Sequence, residues 1–213
     1  MDATWRLSDE GHAAEAESLR AALAEDRQSP SMRVWIAPDG AHLAYQDSAE
    51  TTPGPAGAPQ ADAAAAPALL CVHGWAADSA FFAHQAHGLK GAFRVIRPDL
   101  RGHGRSSRQG PFTIDQLAAD CRGLAKSLSL RGAIAVGWSM GAMVLWRALA
   151  QDPDFAARIA GLVVIDMAPR IANGPDWRLG LAALGADADA SEEERRIGAM
   201  QRDWGAFAAA FTP

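Results

Sequence analysis

Ala133-Ile134-Ala135-Val136-Gly137-Trp138-Ser139-Met140-Gly141 is the stretch that decides how this chain folds. Four small or branched apolar residues predict a buried strand, and residues 140–150 carry apolar groups at helical spacing. Between them lies Gly-x-Ser-x-Gly, so the motif sits in the strand-turn-helix setting of a nucleophile elbow. Such a turn holds its serine in a strained backbone conformation, and side chains at 137 and 141 would collide with neighbouring backbone. A bare five-residue pattern also fits an ordinary Gly-rich loop. The flanking elements select the elbow, which makes Ser139 the candidate nucleophile, its Oγ projecting above the edge of a sheet.

Working outward, short apolar runs alternate with helical segments from residue 68 onward, the pattern of parallel strands buried on both faces and crossed by helices. Strands are expected at 68–72, 93–96, 133–136 and 161–165, with helices near 80–90, 113–128 and 140–151. Thr113 reads as an N-cap with Gln116 in the capping-box position, and Pro153 as the stop of the helix after Ser139. Upstream, residues 32–36, a Pro-Asp-Gly turn at 38–40 and residues 42–45 predict a β-hairpin. An oxyanion needs two preorganised donors. The Met140 N–H, at the positive end of the helix after the elbow, is one candidate. The Trp75 N–H is the other, because Leu69-Leu70-Cys71-Val72-His73-Gly74-Trp75 is a buried strand entering a Gly turn at the same sheet edge, where open α/β sheets place ligands.

The 213 residues suffice for one sizeable core. Residues 1–30 are expected to form a short helical appendage, 31–170 the α/β core, and 48–67, nearly free of large apolar groups, a flexible loop within it. After residue 170 the strand rhythm is lost, and 171–213 read as amphipathic helices. A net charge of -5 with no long basic run gives no footprint for nucleic acid or an anionic membrane surface, and no apolar run is long enough to span a bilayer. Cys71 and Cys121 fall in a predicted strand and helix, where buried reduced thiols are expected, compatible with a cytoplasmic location.

Two histidines near the glycines compete for a catalytic role. His73, at a strand end before Gly74, is expected to hydrogen-bond backbone and shape the loop rather than act as a base. His103 lies in Asp99-Leu100-Arg101-Gly102-His103-Gly104-Arg105-Ser106, whose spacing fits neither the dinucleotide fingerprint nor the P-loop. A tight loop with an internal Asp–Arg pair is the expectation there.

Taken together, His-Gly-Trp at 73–75, Asp-Leu-Arg-Gly-His-Gly-Arg-Ser at 99–106 and Gly-Trp-Ser-Met-Gly at 137–141 resemble the α/β-hydrolase superfamily, in motif order and in spacing. The pairing of His-Gly-Trp with Gly-Trp-Ser is similar to small bacterial carboxylesterases, including the pimeloyl-carrier-protein methyl esterase type. The resemblance implies the α/β-hydrolase fold, an eight-stranded, mostly parallel twisted sheet flanked by helices, with a helical cap inserted after the sixth strand. It implies a serine hydrolase acting on a small apolar carboxylic ester through an acyl-serine, with no cofactor and no metal. Trp138, Trp177 and Trp204 are expected to contact substrate, with cap packing the alternative for the last two.

Gly161 to Arg170 resembles the sixth strand and its exit, where some members of the superfamily carry the catalytic acid; Asp166 is that candidate, with a turn former as the alternative. The histidine base of the superfamily follows the eighth strand. All six histidines here, at 12, 42, 73, 84, 87 and 103, precede Ser139. A partial cap, missing last strands, an exposed apolar edge at the sixth strand and an incomplete triad are therefore expected of these 213 residues. A non-catalytic binding module, or a serine perhydrolase or C–C hydrolase of the same fold, remain the alternative readings.

Overall fold

In the computed structural model, which describes residues 32–50, 66–89 and 91–168, the apolar run at 133–136 is the heart of a six-stranded mixed sheet. The strands are β1 (Met32–Ile36), β2 (His42–Asp47), β3 (Ala68–Val72), β4 (Arg94–Pro98), β5 (Ala133–Trp138) and β6 (Ile159–Ile165). Their spatial order is β1-β2-β4-β3-β5-β6; β1 and β2 run antiparallel as a hairpin, β2 joins β4 antiparallel, and β4, β3, β5 and β6 are parallel. The helices are α1 (Ala83–Gly88), α2 (Ile114–Ser127), α3 (Met140–Gln151) and α4 (Pro153–Ala156). The regions expected as an N-terminal helix (1–30), as most of the flexible loop (51–65) and as a cap (171–213) lie outside the described residues. Residues 48–50, at the start of that loop, form a 3-10 turn.

Strand alternation divides the apolar residues between two layers. Ala68, Leu70 and Val72 of β3 pack with Leu117, Cys121 and Leu124 of α2 and Val144, Leu145 and Ala148 of α3. Leu69 and Cys71, pointing the other way, pack with Phe82, Val95, Ala86 and Leu89 on the α1 side. Every residue of β3 is buried, which explains its unbroken apolar run. The two cysteines thus belong to different layers and are both free. Burial pushes each thiol up to about 12, so neither is a reactive thiolate near neutral pH.

Thr113 caps its helix and α3 ends before Pro153 as expected, while two other local expectations are corrected. Thr113 Oγ1 accepts the Gln116 N–H at 3.2 Å, but the Gln116 side chain turns away from the cap to donate to Asp120 Oδ1 at 2.9 Å. Pro153 follows the end of α3 and opens α4, with Asp152 Oδ1 capping Asp154 and Phe155 N–H groups; a proline at the first helical position forgoes only an N–H that would be unpaired anyway. The Asp–Arg pair expected within residues 99–106 is not made there. The Asp99 carboxylate accepts the backbone N–H groups of Ser79 and Arg105, at 2.7 and 2.8 Å.

Arg101, fully buried, instead reaches across the fold. Its Nε and Nη2 donate to both oxygens of buried Asp120 on α2, at 2.8 and 2.9 Å, and its Nη1 and Nη2 to Asp39 in the β1–β2 turn, at 2.6 and 3.1 Å. One guanidinium therefore ties hairpin, loop and helix together, in the two-pronged geometry that arginine suits. Arg101→Met is expected to lower stability by about 3–5 kcal/mol, because Asp120 keeps its buried charge without its cation. Denaturant unfolding measures this, and a double variant that also carries Asp120→Leu should recover part of the loss; a single variant as stable as the parent would refute the assignment.

Candidate active site

β5 outruns its apolar segment by two residues. Gly137 and Trp138 stay in the ladder, paired with Val164 and Ile165 of β6, and the chain turns at Ser139 into α3. Ser139 has φ 50° and ψ -122°, a left-handed φ that costs a non-glycine residue of order 1–3 kcal/mol. The surroundings hold it there. Ser139 N–H donates to the Ile165 carbonyl at 2.9 Å, and its own carbonyl accepts from Ala142 N–H at 2.9 Å. A Cβ at Gly137 would lie 2.6 Å from the backbone N and Cα of Ala142, and one at Gly141 would lie 2.0 Å from the carbonyl oxygen of Val72. Both glycines of the motif are thus required by close backbone approach.

The turn after β3 lies against the elbow. A Cβ on Gly74 would be 3.1 Å from the Ser139 Cβ and 2.8 Å from Trp138 Cε3. Trp75, next along the chain, is half exposed, and Met140 is the first residue of α3. The two candidate oxyanion donors therefore come from the residues that flank the Ser139 turn on its β3 and α3 sides. The α3 dipole adds positive potential at that end. β3 is also where the sheet order reverses, since the chain passes from β3 outward to β4 and then back across to β5. Such a switch point opens a crevice at the strand C-termini.

His73 sits at the end of β3, fully buried. Its Nε2 lies 3.0 Å from Leu100 N–H, which can only donate, so Nε2 is the acceptor. The proton is then on Nδ1, which donates to the Gly74 carbonyl at 2.7 Å. Burial lowers the His73 pKa, keeping the ring neutral. Both nitrogens are committed to backbone, leaving none for Ser139. His103 packs edge-on against His73, ring centroids 5.2 Å apart, with Nδ1 3.0 Å from the Arg101 carbonyl. His84 and His87 lie on α1, half-buried and exposed respectively.

Asp166 follows β6 directly and, like Ser139, has φ 50°. Because Trp138 pairs with Ile165, the two left-handed residues end neighbouring strands. Asp166 is exposed at that edge. Val163, Val164 and Ile165 are exposed as well, on both faces of a strand that is the edge of the described sheet. Trp138 is half-buried beside the site, stacked on Phe81 with centroids 3.8 Å apart and planes 8° apart. Phe81 was not singled out by sequence, where Phe81-Phe82 reads only as the start of a helix; its position next to the His-Gly-Trp turn is the one available signal. Trp177 and Trp204 lie outside the described residues. Among the described residues, no cluster of three or more His, Cys, Asp or Glu could hold a metal, and no helix is long and apolar enough to cross a membrane.

A serine on a strained strand-to-helix turn, with a Gly turn beside it at a topological switch point, defines the nucleophile-elbow class of α/β proteins. The alpha/beta hydrolase fold family matches residues 67–190, more than half of the chain, and the chain belongs to that family. Among curated relatives, it is 30% identical over 109 residues to a pimeloyl-[acyl-carrier protein] methyl ester esterase of Sodalis glossinidius, a match spanning 51% of this chain and 40% of that protein. It is 35% identical over 104 residues to an epoxide hydrolase of Caballeronia sordidicola, spanning 47% of this chain and 32% of the relative. An esterase from Exiguobacterium antarcticum superposes with a TM-score of 0.64 at 21% identity, over 84% of this chain and 59% of that one, a likeness of fold.

Proposed function

We propose that this chain carries the nucleophile and oxyanion half of a serine hydrolase of small, apolar carboxylic esters. The observation that carries the reading is Ser139 itself, held at a left-handed φ between two glycines with no room for side chains, at the head of α3 and against the Gly74-Trp75 turn. In the proposed reaction Oγ attacks the ester carbonyl carbon, and the N–H groups of Trp75 and Met140 hold the resulting oxyanion. The carbon–oxygen bond to the alcohol breaks, leaving an acyl-serine that water hydrolyses. The proton of Oγ needs a base. The family resemblance puts that base on a histidine after an eighth strand, and the six described strands do not reach that position.

The epoxide hydrolase relatives suggest a second chemistry, which the identity of the elbow residue disfavours. Opening an epoxide on a carboxylate leaves an ester that water can cleave, whereas a serine would be left as an unreactive ether. The matched relatives extend over more sequence than this chain covers, so the reading concerns the parts that these residues supply.

Incubation of a form of the protein that supplies the histidine base with an activated fluorophosphonate tests it. One equivalent of label on Ser139, lost in Ser139→Ala, is the expected result, with hydrolysis of a p-nitrophenyl ester as the companion assay. A folded, base-supplied form whose Ser139 takes no label would overturn the reading and favour a non-catalytic binding module.

A further inference from the structure

The oxyanion turn contains Gly74, whose flexibility suits the tight approach to Ser139 but does nothing to hold the following N–H in place. Something else must hold it. The Gly74 carbonyl accepts from His73 Nδ1 at 2.7 Å and from Ala77 N–H at 3.4 Å, which secures one side of the peptide. On the other side, Trp138 Cε3 and Cζ3 sit 2.8 and 2.9 Å from where a Gly74 Cβ would be, so the indole edge lies on the Gly74 Cα. The indole in turn has one face covered by Phe81, at 3.8 Å and nearly parallel.

Phe81 is well placed to act as a stop. It belongs to a 3-10 turn (Ser79–Phe82) anchored at four points. Asp78 Oδ1 accepts the Ala80 N–H at 2.9 Å, the Asp78 carbonyl accepts the Phe81 N–H at 3.1 Å, Asp99 Oδ1 accepts the Ser79 N–H at 2.7 Å, and Arg97 Nη1 donates to the Ser79 carbonyl at 3.1 Å. Phe82, next to it, is buried against Leu69 and Cys71 of β3 and Val95 of β4. Phe81 itself is 40% exposed and stands outside the buried core clusters. A large aromatic on a rigid turn, braced edge-on by Phe82 with centroids 5.0 Å apart and laid flat on the face of one tryptophan, points to a role in placing that tryptophan.

We infer that Phe81 is a positioning residue for the oxyanion turn: by stacking on Trp138 it keeps the indole pressed on Gly74 and so fixes the Trp75 N–H relative to Ser139. This rests on the ester-hydrolase reading and adds to it a residue outside the three motifs. Without the ring, Trp138 can leave Gly74, and the turn gains freedom at the point where the oxyanion forms. Such a loss falls on the chemical step rather than on substrate binding.

The test is the saturation kinetics of Ser139 phosphonylation by an alkyl fluorophosphonate, in a parent that supplies the histidine base and in its Phe81→Ala, Phe81→Leu and Phe81→Tyr variants. The reaction forms the Oγ–P bond and releases fluoride and the hydroxyl proton, through a phosphorus-centred oxyanion that the same donors hold. Phe81→Ala is expected to lower the maximal rate about tenfold, with the half-saturating concentration changed less than about twofold. Phe81→Tyr, which keeps the flat ring, should restore the parent rate, and Phe81→Leu should fall between, providing a readout should the alanine variant fold poorly. An unchanged maximal rate, a loss confined to half-saturation, or failure of tyrosine to rescue would each overturn the inference while the parent still reacts. A parent that does not react overturns the ester-hydrolase reading and this inference with it.

Discussion

Gly141→Ala is expected to prevent this chain from reaching a stable native state. A methyl at 141 would stand 2.0 Å from the carbonyl oxygen of Val72 and 2.7 Å from that of His73. Neither carbonyl can retreat freely, because Val72, the last residue of β3, pairs with Gly137 of β5, and His73 follows it with its ring held by the Leu100 N–H and the Gly74 carbonyl. Relief would require moving α3 off the sheet, which opens the layer where Val144, Leu145 and Ala148 meet Leu70 and Val72. The cost is expected to exceed about 4 kcal/mol, a large share of the roughly 5–15 kcal/mol that stabilises a typical domain. Far-UV dichroism and denaturant unfolding read the outcome. Gly161→Ala is the control, since a Cβ there meets nothing within 4 Å, and its effect should stay within about 1 kcal/mol. A Gly141→Ala protein as stable as that control would show that α3 does not press on β3 as described.

The second large effect concerns rate. Asp166→Asn is expected to lower ester turnover by the active enzyme about 10³–10⁴-fold, the scale on which losing the acid's charge disables a serine triad. Asparagine tolerates the left-handed φ that this position adopts, so the substitution removes charge and leaves the turn intact. Steady-state kinetics should show the loss in kcat with KM little changed. Near-normal turnover would assign Asp166 to the turn alone and move the acid to another residue.

The strands and the elbow were legible because both depend on short-range pattern. Unbroken apolar runs marked β3 and β5, and glycines flanking Ser139 announced a turn whose steric need is local. Strand ends were less so. Gly137 and Trp138 carry no strand signal, and they stay in β5 because Val164 and Ile165 pair with them; Ile159 and Ala160 similarly extend β6 before the expected start at 161. What stayed hidden was long-range. Arg101 sits 62 residues from Asp39 and 19 from Asp120, so composition suggested a pair inside its own loop. The Phe81–Trp138 stack spans two separate elements and leaves no periodic trace. The candidate acid and nucleophile were visible one at a time, but their adjacency is a property of the sheet.

That adjacency traces to a small irregularity at the far end of the same strand pair. Ala133 faces Ile159 and the next residue, Ile134, faces Gly161, so β6 carries one extra residue, Ala160, before regular pairing resumes. Without that bulge the remainder of β6 would meet β5 one step out of phase, its side chains exchanging faces and Asp166 displaced along the strand by about 3.3 Å. The alignment of two groups at the top of the sheet is therefore set near its bottom. An insertion or deletion around Ala160, at the opposite end of the strand, acts as a change to the candidate site itself, and the spacing between residues 159 and 166 is as much a part of that site as the side chains it brings together.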